Sequence, residues 1–294
     1  MSNDSFALPR IPTAIGGRTG EAGPPGGKWR AASTPTALPT RTVRFAHLLV
    51  VLLRLYLVAR CVAPRRATTH SAPLRRRWAQ RLLRAVRVEV HASGHLPAPA
   101  APLLLIANHV SWLDSYALNT VSAARFVAKS EVRGWPLIGT IAAHFGTFFL
   151  KRGCYRAAAR TVAALADALD AAQPVGAFPE ATTSDGSGLL HFYPAMFEAA
   201  VRSGRRVQPV AICYRAADGT PTSAPAYVGD MSVFDSLRRL LREPLLTAEL
   251  VFCAPLDPAG RTRRELAALA RAAIAAALQR TEAVVAHGRL PRAA

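Results

Sequence analysis

Four large aliphatic residues in succession, Leu103 to Ile106, follow Pro102 and give way to Asn108 and His109. A strand with one wet face alternates apolar and polar side chains. One with no wet face reads as an unbroken apolar run, and so belongs inside a sheet that helices cover on both sides. Short runs of similar kind recur at Arg125 to Lys129, Phe148 to Leu150, Val175 to Phe178 and Val207 to Tyr214. Val86, Val88, Val90 and Ala92 alternate with Arg87, Glu89 and His91, which predicts a further strand ahead of them, and Ala248 to Leu256 predicts one after them. Segments of helical period lie between: Trp112 to Val121, Leu137 to Phe145, Cys154 to Ala172 and Met196 to Ser203. Ala226 to Leu241 reads as a loop with a helix, and Arg261 to His287 as a long Ala-rich helix laid over one face of the sheet. This alternation predicts an α/β fold, a mostly parallel central sheet flanked by helices, with the sites on loops at the carboxyl ends of the strands.

The chain ahead of that domain is different in kind. Residues 1–42 are rich in Pro, Gly, Ser, Thr and Ala and are expected to be disordered, since so few apolar groups cannot offset chain entropy; no cleavable signal peptide is expected. Phe45 to Ala59 is the most hydrophobic stretch but is short for a bilayer span, which needs roughly 20 apolar residues, and Arg54 interrupts it. Leu74 to Val88 sets Trp78, Leu82, Ala85 and Val86 at helical spacing among Arg75, Arg76, Arg77, Arg81, Arg84 and Arg87. An apolar stripe bordered by arginines is the pattern of a helix lying in a membrane interface. Residues 43–88 are therefore expected to form a helical hairpin, with Pro64 and Pro73 at its turn, that dips into one leaflet. A pair of helices packed on the domain in water and a true single span are the alternatives. Residues 89–260 would form the main domain, and 261–294 a C-terminal helix and tail.

Charge points the same way. The chain carries 37 Lys+Arg against 18 Asp+Glu, a net charge of +19, and residues 1–90 hold sixteen of the basic groups against three acidic ones. Such a segment suits a polyanion, either nucleic acid or an anionic membrane surface, although a composition that favours Arg and Ala would also raise the count. It lacks interleaved aromatics or a recognition helix, so no nucleic-acid partner is expected. Cys61, Cys154, Cys213 and Cys253 show no CxxC spacing and suggest neither a zinc site nor a disulfide framework, which fits a reduced, cytoplasm-facing protein.

His109 closes the buried strand, and Asp114 follows five positions on. With Ser111 capping a helix that starts at Trp112, the two would flank one tight turn, close enough for the carboxylate to hold one imidazole nitrogen while the other faces a cleft. An imidazole held in one tautomer is suited to act as general base for a hydroxyl near neutral pH. Ser111 lacks a GxSxG setting and Cys154 lacks a base partner, so an acyl-enzyme is not expected. His144 and His191 have no acidic neighbour at useful spacing and are expected to be satisfied structural histidines.

The blocks NHVSWLD, FVAKSEVRGWPLIG (Phe126 to Gly139), GTFFLKRG (Gly146 to Gly153), FPEATTSDG (Phe178 to Gly186) and QPVAICY (Gln208 to Tyr214) follow one another in order. Together they resemble the glycerolipid acyltransferase family, which includes 1-acylglycerol-3-phosphate and lyso-ornithine-lipid acyltransferases, over about residues 87–256. The resemblance implies acyl transfer from acyl-CoA or acyl-carrier protein to a lysolipid hydroxyl, most readily that of 1-acylglycerol-3-phosphate. It implies His109 as base and Asp114 as its orienter, without metal or bound cofactor, at the cytoplasmic face of the inner membrane. For substrate binding it marks Arg152, then Phe178, Pro179, Glu180, Thr182 and Ser184, and finally Pro209, and Lys151, a second cation beside Arg152 at the end of an apolar strand, is expected to join them. Three positions depart from the family pattern: Lys151 stands where an acidic residue is common, Ala181 replaces a glycine, and Thr183 stands where an arginine is common. Ala181 matters if that position needs positive φ, and Thr183 removes one phosphate-binding cation. A basic nucleic-acid-binding protein is the rival from another class, and a thioesterase on the same fold, with water in place of the lipid, is a second rival.

Overall fold

The computed structural model describes residues 35–61, 72–98, 101–151 and 153–286. Of the expected disorder of residues 1–42, residues 1–34 fall outside them, as do Pro64 of the expected bend and Arg152; residues 38–42 are instead helical, and Pro73, also expected at the bend, lies in the first turn of the second helix. Among the described residues seven strands form one sheet: β1 (Val88–Gly94), β2 (Leu104–Ala107), β3 (Arg125–Lys129), β4 (Phe148–Leu150), β5 (Val175–Ala177), β6 (Val207–Ala216) and β7 (Leu246–Phe252). Across the sheet they lie in the order β1-β7-β6-β2-β5-β3-β4. All neighbouring pairs are parallel except β6 and β7, where the ten-residue β6 runs antiparallel to β7 from Val210↔Phe252 to Ala216↔Leu246. The last strand thus begins two residues before the expected Ala248 and ends at Phe252.

Among the described residues eight α-helices flank the sheet: α1 (Leu38–Cys61), α2 (Ala72–Ala85), α3 (Asp114–Asn119), α4 (Ile138–His144), α5 (Tyr155–Asp170), α6 (Glu198–Ser203), α7 (Val233–Arg242) and α8 (Arg263–Ala286). Two buried clusters sandwich β2, whose four residues are all buried. Leu105 faces one, with α1, α2, α3 and α7; Leu104 and Ile106 face the other, with α5, α6 and α8. The unbroken aliphatic run is thus divided between two layers.

The N-terminal helices differ from expectation in an instructive way. α1 starts at Leu38, seven residues before the expected Phe45, and its Arg44, Leu48, Val51, Leu55 and Ala59 turn inward. Arg44 is buried and donates to the carbonyls of Leu241, at 3.2 Å, and Glu243, at 2.8 Å, at the end of α7, and to that of Val86, at 2.8 Å. A guanidinium with its donors spread over three carbonyls holds α1 against the domain. Leu49, Val50, Leu53 and Leu57 lie on the opposite, exposed side. The apolar stripe of α2, expected to face lipid, instead faces the domain: Trp78, Leu82 and Leu83 are 5%, 1% and 2% exposed. It packs on Leu48, Val51 and Leu55 because that burial removes the same apolar area from water without needing a bilayer, at roughly 2 kcal/mol per large side chain. Arg76, Arg77, Arg81, Arg84 and Arg87 are left on the outer surface.

Candidate active site

β2 ends at Ala107, and the backbone then turns under a single carboxylate. Asp114 is fully buried, and its Oδ2 accepts from His109 Nδ1 at 2.8 Å, from the Val110 N–H at 2.7 Å and from the Ser111 N–H at 2.8 Å. Its Oδ1 accepts from the Tyr214 hydroxyl at 2.7 Å. Asp114, not Ser111, therefore organises the start of α3: the helix begins at Asp114 rather than Trp112, its N-cap position Leu113 makes no side-chain cap, and Ser111 Oγ accepts only from the Leu113 N–H, at 3.3 Å. A carboxylate satisfies two orphan amides and an imidazole at once, which one hydroxyl cannot do. Because the carboxylate offers only lone pairs, Nδ1 carries the proton and Nε2 is left with its lone pair. His109 keeps 21% of its side chain exposed, so that lone pair remains accessible.

The imidazole has a floor as well as a holder. Phe178 stacks on it with centroids 4.0 Å apart and planes 8° apart, and Phe126 stacks on Phe178 at 5.5 Å. Phe126 fits there because its register partner on β5 is Gly176; a Cβ at that position would collide with the Phe126 ring. Asn108 fixes the neighbouring strand: its amide donates to Ile212 O at 2.9 Å and accepts from Ile212 N at 2.8 Å, continuing the β2–β6 ladder by one rung through a side chain.

The loop after β5 closes over this turn. The Ser184 N–H donates to His109 O at 2.8 Å and its Oγ reaches the same carbonyl at 3.4 Å, so Ser184 is committed to the backbone of His109. Pro179 is buried and its carbonyl accepts from Tyr193 N at 2.9 Å. Thr182 is exposed. Ala181 adopts φ of 58°, the left-handed region that favours glycine, so its Cβ is accommodated under strain. The Thr183 hydroxyl donates to Tyr227 O, and Tyr227 N donates in turn to Val110 O at 3.0 Å, which ties the loop before α7 to both sides of the site.

Glu180 is 2% exposed, and neither carboxylate oxygen has a hydrogen-bond partner among the described residues. Burial is the main cause that raises its pKa, to about 8. The negative charge of Asp114 adds to the rise, while the His109 and Leu190 amides and Arg271 oppose it without offering a bond of good geometry. Among the described residues Glu180 thus makes no side-chain hydrogen bond within its own loop.

The other expected residues lie further out. Lys151 is exposed just beyond β4. Pro209 is buried within β6, paired with Ile106 and accepting from Cys253 N at 2.9 Å, below the turn that carries His109. His144 differs from expectation: its Nε2 is buried with no partner among the described residues, and burial together with Arg75 lowers its pKa. Sequence reasoning passed over Tyr214 and Asn108, although both stand inside quoted blocks, because their roles depend on cross-strand register. Among the described residues no group of three or more His, Cys, Asp or Glu is placed to hold a metal ion.

A carboxylate-held imidazole open on one side, set at the carboxyl end of a buried parallel strand, is chemically able to take up and return a proton. Residues 87–213 match the family model described as Acyltransferase. A lyso-ornithine lipid O-acyltransferase from Pseudomonas aeruginosa is 38% identical over 216 residues, 72% of this chain and 82% of that protein. A 1-acyl-sn-glycerol-3-phosphate acyltransferase from Neisseria gonorrhoeae is 38% identical over 165 residues, 55% of this chain and 64% of that protein. The crystal structure of a 1-acyl-sn-glycerophosphate acyltransferase from Thermotoga maritima superimposes with a TM-score of 0.58 at 19% identity, covering 85% of this chain and all of that one, and thus shares the fold. The chain belongs to the glycerolipid acyltransferase family and is an O-acyltransferase.

Proposed function

We propose that the chain transfers a fatty acyl group from acyl-CoA or acyl-carrier protein to the free hydroxyl of a lysolipid, with His109 as general base. The observation that carries this reading is the 2.8 Å contact between His109 Nδ1 and Asp114 Oδ2, which assigns the ring proton to Nδ1 and leaves Nε2 free. Nε2 takes the hydroxyl proton as the lipid oxygen attacks the thioester carbonyl. The tetrahedral adduct then collapses, the C–S bond breaks, and the imidazolium returns its proton to the departing thiolate. Asp114 stabilises the imidazolium, and the Phe178 face adds attraction for a cation stacked on it.

Two acceptors are supported by relatives. Lysophosphatidate, favoured by the sequence, is the acceptor of the 1-acylglycerol-3-phosphate enzymes to which the chain is similar. The lyso-ornithine head group, an amino acid, is favoured by Thr183: its hydroxyl is committed to Tyr227 O, so that position offers an acceptor phosphate neither cation nor donor. We take the lyso-ornithine class as the acceptor. Lys151 and Arg152 would serve the head group's carboxylate, Glu180, Thr182 and Phe178 would line its approach, and Pro179, Ser184 and Pro209 would shape the walls. The test is acyl transfer by purified, detergent-solubilised protein to lyso-ornithine lipid and to lysophosphatidate side by side. Faster transfer to the first is expected, and transfer to lysophosphatidate alone would overturn the assignment.

The membrane would present the acceptor. The exposed side of α1, with Leu49, Val50, Leu53 and Leu57, meets the acyl region of one leaflet, and the outward arginines of α2, none paired with a carboxylate among the described residues, meet anionic head groups. A helix that buries Leu48, Val51 and Leu55 against its own domain is not surrounded by lipid, which favours a dip over a span. We place the protein on the cytoplasmic face of the inner membrane.

A further inference from the structure

We propose that Tyr214 is a positioning residue of the acyl-transfer site: by donating to the second oxygen of Asp114 it sets how strongly His109 holds a proton. The inference rests on the reading of His109 as base, and its central readout does not require turnover. β6 continues for several residues beyond the end of β2, and Asn108 fixes the register of that overhang through its paired bonds to Ile212. Two residues further along the same strand, and so on the same face, Tyr214 is carried over the turn and reaches Asp114 Oδ1 at 2.7 Å.

Asp114 is 0% exposed and meets four donors: two backbone amides, an imidazole N–H and the phenol. Three of them share Oδ2, and the phenol serves Oδ1. Burial, with the adjacent Asp114 charge, holds the Tyr214 hydroxyl well above the ordinary phenol range, so it remains a donor throughout the working pH. Without that hydroxyl, Oδ1 is buried without its donor and the carboxylate is less well stabilised. Its negative charge then draws the His109 proton more strongly. The imidazolium is favoured, and free base appears only at higher pH.

The other ionisable group facing this pair is Glu180 from the loop after β5; Cys213, next to Tyr214 on β6, points to the opposite face of the sheet toward Glu249. The Cys213 thiol is raised far out of range, chiefly by burial, whereas Glu180 titrates near pH 8. The experiment is therefore done in a Glu180→Gln background. His109 is followed by nitrogen NMR of labelled imidazole in the full chain, with Tyr214 intact, with Tyr214→Phe, and with 3-fluorotyrosine placed at 214. The fluorinated phenol keeps the ring and hydroxyl but is a stronger donor. The pH at which His109 gains its proton is expected to rise in Tyr214→Phe and fall with 3-fluorotyrosine. In the otherwise native chain, Tyr214→Phe is expected to lower kcat about tenfold at neutral pH, in keeping with the loss of one hydrogen bond to a charged group, with KM for the lysolipid unchanged and activity recovering as pH is raised. If the His109 titration is the same in all three forms, the proposal is overturned even where activity falls, because the hydroxyl would then serve packing alone. If the titration moves in opposite directions yet no form transfers an acyl group, Tyr214 keeps its positioning role and it is the proposed function that fails.

Discussion

At the scale of single residues, the site mixes one rigid support with two strained or uncomfortable groups. Ala181 sits at φ 58°, where a Cβ is disfavoured. Ala181→Gly is expected to raise stability by about 1 kcal/mol, read as an upward shift of the thermal midpoint, and an unchanged or lower midpoint would contradict the strain. Glu180 binds a proton more tightly folded than unfolded. The stability this gives is fully present below about pH 4.5, the ordinary carboxyl value, and is lost as pH rises through about 8. Unfolding by denaturant at a series of pH values should show native-state stability falling across that window, with a shallower fall in Glu180→Gln. A slope that the substitution leaves unchanged would show that Glu180 is not the source. The five-residue spacing of His109 and Asp114 after a buried strand also suits an ordinary surface pair, and it was the acyltransferase-like blocks from NHVSWLD to QPVAICY that singled the two out. The capping role of Asp114 was not legible, since Ser111 at that position looks equally suited and only three-dimensional convergence shows which side chain collects the amides.

The elements carry a division of labour that hydrophobic pattern alone leaves ambiguous. Periodicity located every strand of the sheet to within a few residues, and Arg125–Lys129 and Phe148–Leu150 without error. It could not say which apolar stripe meets protein and which meets lipid, because both solvents accept Leu and Trp alike. In α2 the stripe meets protein; in α1 the helix is divided, Leu55 buried at 1% and Leu53 exposed at 51%. Leu55→Glu should therefore destabilise the fold by about 3 kcal/mol or more, as a charge forced into the core, whereas Leu53→Glu should leave the thermal midpoint in place and reduce co-sedimentation with vesicles. Equal effects of the two substitutions on stability would refute the assignment of faces.

For the whole molecule, an excess of positive charge becomes a question of where it points. Arg44 and Arg75 are buried on backbone carbonyls and serve the fold, whereas Arg76, Arg77, Arg81, Arg84 and Arg87 are exposed. Composition gave the sum and could not separate the two sets. Vesicle binding should strengthen with anionic lipid and weaken with salt, by about 1 kcal/mol for each exposed arginine that reaches the surface. Substituting Arg77, Arg81 and Arg84 by Gln should weaken binding to anionic lipid by up to about 3 kcal/mol. A preference left unchanged by the triple substitution would move the contact elsewhere.

The account turns on His109 as the base of an acyl transfer to a lipid hydroxyl. The most direct test is the rate of transfer of a labelled acyl group from its thioester to lyso-ornithine lipid and lysophosphatidate by the wild type and by His109→Ala, with circular dichroism to show that both are folded. Transfer by the wild type and a loss of about a hundredfold to ten-thousandfold in the variant is the predicted result. Equal rates in the two folded proteins would contradict it.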